Sequence, residues 1–164
     1  SRIGATRFVE LVQNYGLEAT IAAFHDLMDY SERLMRNAIS DLPNGDYAAT
    51  TYLDGFLDDP DPSRSKLPLV VTLTVQGDEL IVDLTGTASQ LPDKPINMPL
   101  VGTVDCAIWL TIRSILLDTV TYGSIPQNSG LTRPIKIVAP LGCLANPIFP
   151  ALPVRTPKLL LSCR

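Results

Sequence analysis

Hydrophobic positions over the first 42 residues repeat with the period of an α-helix. The first stripe is spaced i, i+3, i+4 and i+7 and consists of Phe8, Leu11, Val12 and Tyr15. Gly16 follows at the place of a left-handed C-terminal cap. A second helix is predicted from Leu17 to Ser40, with an apolar face made of Leu17, Ile21, Phe24, Met28, Met35 and Ala38. The pattern therefore predicts a helical hairpin over residues 1–42.

After residue 42 the pattern changes to the alternation that is typical of β-strands. Pro43 and the pair Asn44-Gly45 indicate a turn, and Tyr47 to Leu53 is rich in Tyr and Thr, which favours a strand. Leu69 to Thr85 predicts a hairpin about Gly77-Asp78. In that register one face holds six apolar side chains, namely Val71, Leu73, Val75, Leu80, Val82 and Leu84. Ile135 to Val138 predicts one more short strand.

The longest apolar segment, Leu100 to Leu117, predicts a buried helix. It includes Asp105 and Arg113 and is shorter than the roughly 20 residues that a bilayer requires. The second face of the hairpin, with Thr72 and Thr74, is mixed, and we expect this helix or another subunit to cover it. We also expect it to be the most buried helix of the fold, with its two charges at an edge or paired.

Together these elements predict an α+β fold, with an N-terminal helical pair and an antiparallel β-sheet that has a buried covering helix. The 164 residues, 46% hydrophobic and 18% charged, fit a single globular domain. Within it we distinguish the hairpin of residues 1–42, a mixed sheet and helix region of residues 43–150, and a tail of residues 151–164.

Composition excludes several classes of partner. A net charge of −4 and a pI near 4.8, without any basic run, give no electrostatic footprint for nucleic acid or an anionic membrane. Three widely spaced cysteines indicate neither a disulfide framework nor a metal pair, so we expect a reducing cytoplasm. Cys106 and Cys143 are interpreted as small buried hydrophobic residues.

Few residues have the spacing of a catalytic or metal site. His25 is the only histidine and is interpreted as a residue on the surface or boundary of a helix. The loop with Asp54, Asp58, Asp59 and Asp61 lacks the pattern of a calcium loop and is interpreted as solvated. No phosphate-binding glycine motif occurs, so we expect this segment to bind neither a nucleotide nor a metal.

Four motifs with turn-forming residues follow one another in a fixed order. They are Leu42-Pro43-Asn44-Gly45-Asp46-Tyr47, Val82-Asp83-Leu84-Thr85-Gly86-Thr87, Pro95-Ile96-Asn97-Met98-Pro99-Leu100, and the long stretch from Pro126 to Pro147. In this order the chain resembles the hydantoinase B family from about Arg2 to Pro150. The tail after Pro150 departs from the family pattern. Members are several hundred residues long, so the resemblance implies a fragment of a B-type subunit.

The resemblance implies part of an ATP-dependent enzyme that hydrolyses hydantoins or 5-oxoproline, or that carboxylates ketones such as acetone. The sequence leaves hydrolase and carboxylase open. In the family an A-type ATPase subunit phosphorylates the substrate carbonyl oxygen and the B-type subunit completes the reaction, so ATP and a divalent metal are expected for the full complex. The expected partners are the rest of the B-type subunit, together with that A-type ATPase. We expect the isolated chain to be inactive and able to self-associate.

Four polar residues of the motifs are candidates for lining a substrate site: Asn97, Asn128, Arg133 and Asn146. Arg133 and the amides could orient a carboxylate or a carbonyl, although no general acid and base pair is recognisable. A structural role is the alternative, because asparagine side chains fix loops by bonding to the backbone. The rival to an enzyme subunit is then a structural or subunit-interaction domain.

Overall fold

A computed structural model describes residues 2–56 and 59–151. The tail beyond Ala151, with Cys163, lies outside the described residues, as do Leu57 and Asp58 of the acidic loop. The division into segments 1–42, 43–150 and 151–164 stays a prediction.

Two helices form the N-terminal pair, α1 (Arg2–Tyr15) and α2 (Leu17–Ser40). Gly16 separates them with φ 84°, a conformation that glycine adopts without a steric penalty, and its N–H donates to the Val12 carbonyl at 2.8 Å. The rings of Phe8 and Phe24 stack with centroids 6.1 Å apart, so α1 folds back on α2. The predicted helical pair is confirmed.

Only the C-terminal half of α2 enters the core. Met35, Ala38 and Ile39 are buried there, whereas Ile21 and Phe24 on the predicted apolar face are more than two-fifths exposed. No residue of α1 is buried. The first helix and the start of the second therefore project from the domain with apolar side chains in solvent.

Within the described ranges, four strands form one sheet in the order β1-β2-β3-β4. Their bounds are β1 (Gly45–Asp54), β2 (Lys66–Gln76), β3 (Glu79–Asp83) and β4 (Ile135–Val138). β2 and β3 make the predicted hairpin, with Val75 opposite Leu80 and Leu73 opposite Val82. Gly77 turns the chain at φ 63°. The predicted register is confirmed in this pair.

The sheet is mixed, because β4 runs parallel to β3. The sequence pattern predicts antiparallel pairing, which holds for β1, β2 and β3 but not for β4. A hairpin returns the chain antiparallel after a few residues, whereas the connection from Asp83 to Ile135 crosses over the sheet and includes a helix. Parallel neighbours need a crossover of about a dozen residues or more, and this connection is long enough to provide one.

The helix α3 (Asp105–Leu116) packs on the apolar face of the sheet and not on the mixed face that we expect it to cover from the sequence. An irregular turn, Leu100–Val104, precedes it, and the short helix α4 (Thr119–Tyr122) follows. Ile108, Ile112 and Leu116 contact the core cluster that contains Val75, Leu80 and Val82. The apolar stripe of a helix gains most by meeting the apolar side of the sheet, which decides the orientation.

The prediction that this helix is the most buried is wrong. All residues of α3 are described and none is fully buried, whereas α2 contributes the fully buried Met35 and Ile39. Cys106 is likewise exposed, while Cys143 is buried as expected. The carboxylate of Asp105 accepts from the N–H of Gly102 at 2.7 Å, but Arg113 Nε and Trp109 Nε1 have no partner among the described residues. The helix thus covers the sheet only in part.

A smaller cluster lies beside the main core, made of Leu84, Val104, Cys143 and Ala145. It joins the loops that follow β3 and β4. No helix in the described part of the chain is both long and apolar enough to cross a membrane.

Candidate functional site

An apolar groove of about 510 Å³ lies on the inner face of the sheet, between β1, β2 and α3. Strand residues form its floor, namely Ala49, Thr50, Thr51, Leu69, Val71, Val82 and Leu84. Its wall and end are formed by Met98, Thr103, Val104, Ala107, Ile108, Thr111 and Ala145. We call this surface the inner groove.

The inner groove is open because no element in the described part of the chain covers β1. Ala49 pairs with Val71 and Thr51 with Leu69, so these residues share the apolar face with the core positions of β2. Ala49 and Thr51 are nevertheless exposed. The α3 wall begins at Ala107 and Ile108, over β2 and β3, and leaves the neighbouring strand bare.

The lining of the inner groove excludes acid–base chemistry there. No charged side chain is among its lining residues, and its polar side chains are the hydroxyls of Thr50, Thr51, Thr103 and Thr111. General acid–base catalysis requires a titratable group within hydrogen-bond reach of the reacting atom. The groove, as the described residues form it, can therefore hold apolar groups but cannot move protons.

Asn97 is fully buried and fixes the loop before α3. Its Oδ1 accepts from the Leu91 N–H at 2.9 Å, and its Nδ2 donates to the carbonyls of Leu91 at 2.8 Å and Lys94 at 3.1 Å. A buried amide is stable only when its donors and acceptors are paired. These contacts place Asn97 in a structural role.

Asn146 fixes the loop after β4. Its Nδ2 donates to the Ala139 carbonyl at 2.9 Å, and its own carbonyl accepts from the Gly142 N–H at 2.8 Å. The neighbouring Leu144 carbonyl accepts from the Met98 N–H at 2.7 Å, which joins this loop to the one that Asn97 fixes. Asn97 and Asn146 thus belong to one network of loops.

Asn128 joins a different pair of elements. It caps the 3-10 helix Ser129–Thr132 by accepting from the Gly130 N–H at 2.9 Å, and its Nδ2 donates to Ser31 Oγ on α2 at 2.9 Å. Gly130 is buried against the Met28 carbonyl, where a Cβ would collide with α2. The 3-10 helix and α2 therefore pack as closely as their backbones allow.

Arg133 strengthens the same junction through ion pairs. Its guanidinium contacts Asp29 at 2.6 Å and Glu32 at 2.9 Å on α2. Hydrogen bonds from Arg133, and after it from Arg36, lower the pKa of Glu32, while Glu32 and then Asp29 raise the pKa of Arg133. The side chain of Arg133 is occupied by carboxylates of its own chain.

The four candidate residues therefore fall into two groups. Asn97 and Asn146 lie in the loop network, Asn128 and Arg133 lie at the junction with α2, and none of the four lines the inner groove. Dispersion at loop ends favours scaffolding over a shared site. Their substrate-lining role stays a prediction.

The motif Thr85-Gly86-Thr87 forms a turn at the end of β3. The N–H and hydroxyl of Thr85 donate to Asp83 Oδ1 at 2.8 and 2.6 Å, which lowers the pKa of Asp83. Gly86 has φ 96°, and Thr87 Oγ1 lies 3.1 Å from both the N–H and the carbonyl of Val70. Through Thr87, the chain that leaves the hairpin after β3 therefore contacts β2 again.

One carboxylate of the acidic loop, that of Asp59, is less solvated than the composition indicates, whereas Asp54 and Asp61 are exposed as expected. The Asp59 side chain is only 4% exposed and forms ion pairs with Lys94 at 3.0 Å and Arg64 at 3.4 Å. The Asp61 N–H, followed by Lys94, lowers the pKa of Asp59. The carboxylate is therefore neutralised within the chain. Composition does not reveal this, because Lys94 approaches the loop only in the folded chain.

The described residues do not fit a metal ion or ATP. They contain no group of three His, Cys, Asp or Glu side chains that could hold a metal, and His25 is exposed on α2. A phosphate-binding loop is absent from the sequence. That this segment binds neither ATP nor a metal stays a prediction.

Sequence reasoning missed the inner groove. The available signal was the middle of β1, where the small residues Ala49 and Thr51 lie opposite Val71 and Leu69 of β2. Small side chains on an otherwise apolar face leave space for another element. The pairing of β1 with β2 had to be known before that signal could be interpreted.

Comparison with known proteins gives a consistent result. The family model described as "Hydantoinase B/oxoprolinase" matches residues 1–161. A protein of Pseudomonas sp. (strain NS671), named as the B-type subunit of a putative D-/L-hydantoinase, is 60% identical over 151 residues, which are 92% of this chain and 26% of that protein. The beta subunit of the caprolactamase of Pseudomonas jessenii is 26% identical over 91% of this chain and 24% of its own.

A solved structure has the same fold. The crystal structure of the ATP-dependent caprolactamase from Pseudomonas jessenii superposes with a TM-score of 0.73 at 24% identity, over 93% of this chain and 24% of that one. The chain therefore spans about a quarter of the length of these two relatives.

Proposed function

Because this chain belongs to the hydantoinase B/oxoprolinase family, we propose that it is part of the B-type subunit of an ATP-dependent enzyme that hydrolyses a cyclic amide. The observation that supports the proposal best is the 60% identity to the hydantoinase relative over nearly the whole chain. Both named relatives are amide hydrolases according to their names. We therefore prefer hydrolysis to ketone carboxylation.

The geometry of the inner groove supports a reaction whose steps are carried out by different parts of a larger enzyme. The inner groove has no titratable side chain among its described lining residues, and Arg133 is engaged by Asp29 and Glu32. The lining of the inner groove thus supplies no acid and base pair. The step that uses ATP would belong to an A-type ATPase partner, and the hydrolytic groups would come from the rest of the B-type subunit. Dependence on ATP fits a cytoplasmic location.

A structural or subunit-interaction domain is the second candidate function. It is favoured by the contacts of the motif residues, since Asn97, Asn128 and Asn146 each bond to loops or helix ends. In that case the motifs would maintain the fold and the chain would only position neighbouring parts of the enzyme.

The proposal is tested with a chimera in which this chain replaces the 151 matched residues of the Pseudomonas hydantoinase relative. The chimera is coexpressed with the A-type ATPase of the same source and assayed with hydantoin, 5-oxoproline and caprolactam. We expect amide hydrolysis that requires ATP and the partner. The isolated 164-residue chain should be inactive.

Two results would contradict the proposal. One is turnover by the isolated chain without ATP or a partner. The other is a chimera that has the circular dichroism and elution volume of the parent protein but hydrolyses none of the three amides. Loss of hydrolysis in an Arg133→Lys chimera that retains its fold would instead favour a site role for Arg133 over pure scaffolding.

A further inference from the structure

We infer that the inner groove binds an apolar helix from the remainder of the same B-type subunit. This inference rests on the proposed function, because the occupant belongs to a longer protein. It assigns a contact surface that neither the motifs nor the candidate site residues indicate.

Part of the apolar face of the sheet has no covering element among the described residues. A helix with its side chains is about 10 Å wide, which matches about two strand spacings of about 4.8 Å. α2 and α3 cover the part of the apolar face around Leu80, Val82 and Ile135. Beyond them Ala49 and Thr51 of β1 remain exposed on the same face. An element beside α3 would complete the second layer of the domain.

The chemistry of the inner groove selects the occupant. Ligand sites for small molecules combine an apolar lining with a few convergent polar groups that fix orientation. Here the polar side chains among the described lining residues are threonine hydroxyls only, so the N–H and C=O groups of a cyclic amide would lose water without adequate replacement. A helix satisfies its own backbone groups and presents apolar side chains, which suits this lining.

A second copy of this chain is a poorer occupant. A twofold interface places the same patch of each copy against the other, so the patch must be complementary to itself. The inner groove is concave and is bounded by the α3 wall, so two grooves face to face would enclose a void. The chain spans about a quarter of its relatives' length, so the other three-quarters offer segments that can reach the groove.

Neighbouring alanines on β1 provide a matched test. Ala48 and Ala49 are both exposed and occupy adjacent positions, but they point to opposite faces of the sheet. We would introduce A48C and A49C separately into the isolated chain and into the chimera, with Cys106 replaced by Ser. The rate of modification by N-ethylmaleimide is then measured at each site by peptide mass spectrometry.

In the isolated chain both cysteines should react at comparable rates. In the chimera the A49C site should react at least tenfold more slowly, while the A48C site keeps its rate. Ala107, on the α3 wall of the groove, gives a second probe. A107C should be protected together with A49C, and it serves alone if A49C fails to fold.

Three outcomes would overturn the inference. They are equal labelling of A49C in the chimera and the isolated chain, equal protection of A48C and A49C, or protection in the isolated chain that disappears on dilution, which would assign the groove to a second copy. Amide hydrolysis is measured on the same chimera. An inactive chimera with a protected A49C site would contradict the proposed function and leave this inference intact.

Discussion

At the scale of single residues, the polar side chains of the motifs act as anchors within the fold. Asn97 connects three backbone groups of one loop, and Arg133 connects the 3-10 helix to α2 across more than 100 residues of sequence. The type and position of these residues were recognisable in the sequence. Their partners were not, because ion pairs and loop bonds over such separations depend on the folded chain.

We expect Asn97→Ala to lower the free energy of unfolding by about 1–3 kcal/mol, since backbone groups buried beside it would lose their partners. Chemical denaturation of the isolated chain measures this effect. Asn37→Ala is the control, because Asn37 is exposed on α2 and should change stability by less than about 0.5 kcal/mol. Equal effects of the two substitutions would show that the side chain of Asn97 does not stabilise the fold.

Glu32 should make the stability of the chain depend on pH in the acid range. Its pKa is lowered in the folded protein by Arg133 and Arg36. A lowered folded pKa gives a stabilising contribution that is fully present above the unfolded value of about 4.3 and is lost as the pH falls through the folded value. The junction between α2 and the 3-10 helix is therefore sensitive to acid.

Glu32→Gln tests this dependence, with unfolding by urea measured from about pH 3 to about pH 7. The difference in stability between the wild type and the variant should be largest above about pH 5 and should shrink as the pH falls. A difference that stays constant over this range would show that Glu32 is not linked to folding through its charge.

At the scale of elements, local patterns predicted the hairpin but not its surroundings. The register of β2 and β3 follows from period-two alternation about Gly77, a signal contained in a short stretch of sequence. The parallel pairing of β4 and the face chosen by α3 depend on the long connection between Asp83 and Ile135. No local pattern encodes where such a crossover places its helix.

Substitution of one isoleucine on each helix compares the contributions of α2 and α3 to stability. Ile39 on α2 is fully buried, so Ile39→Ala should cost about 2–5 kcal/mol of unfolding free energy. Ile108 on α3 is only partly buried at the edge of the inner groove, so Ile108→Ala should cost less, about 1–2 kcal/mol. Thermal and urea unfolding of the isolated chain would show whether this order holds. The reverse order would show that Ile108 contributes more to stability than its partial burial implies.

At the scale of the whole molecule, apolar side chains remain exposed on several surfaces of the described chain. Two of these surfaces are the inner groove and the projecting pair of α1 and the first half of α2. Ile3, Tyr15 and Leu17 are exposed by 79%, 70% and 56%, so the helical pair leaves large apolar side chains in solvent. The candidate site was not predictable at this scale, because an uncovered surface is a property of the assembled layers.

The projecting helices should cause the isolated chain to self-associate. We expect sedimentation velocity to show species larger than the monomer that increase with concentration, and Ile3→Glu combined with Leu17→Glu to shift the distribution toward the monomer. Val101→Glu is a matched control, since Val101 is 84% exposed but lies in the turn before α3. A monomeric wild type at all concentrations, or an equal effect of the control, would contradict this expectation.

The parallel strand β4 has a consequence for the order of events during translation. β3 pairs with β2 as soon as their hairpin leaves the ribosome, but its other edge stays vacant until residues 135–138 arrive. Roughly 50 residues intervene, which at about 5–20 residues per second amounts to several seconds. An unpaired edge is a template for wrong pairing. The nascent chain therefore has a vulnerable interval, and a chaperone that binds extended segments would be most useful to it between the emergence of β3 and that of β4.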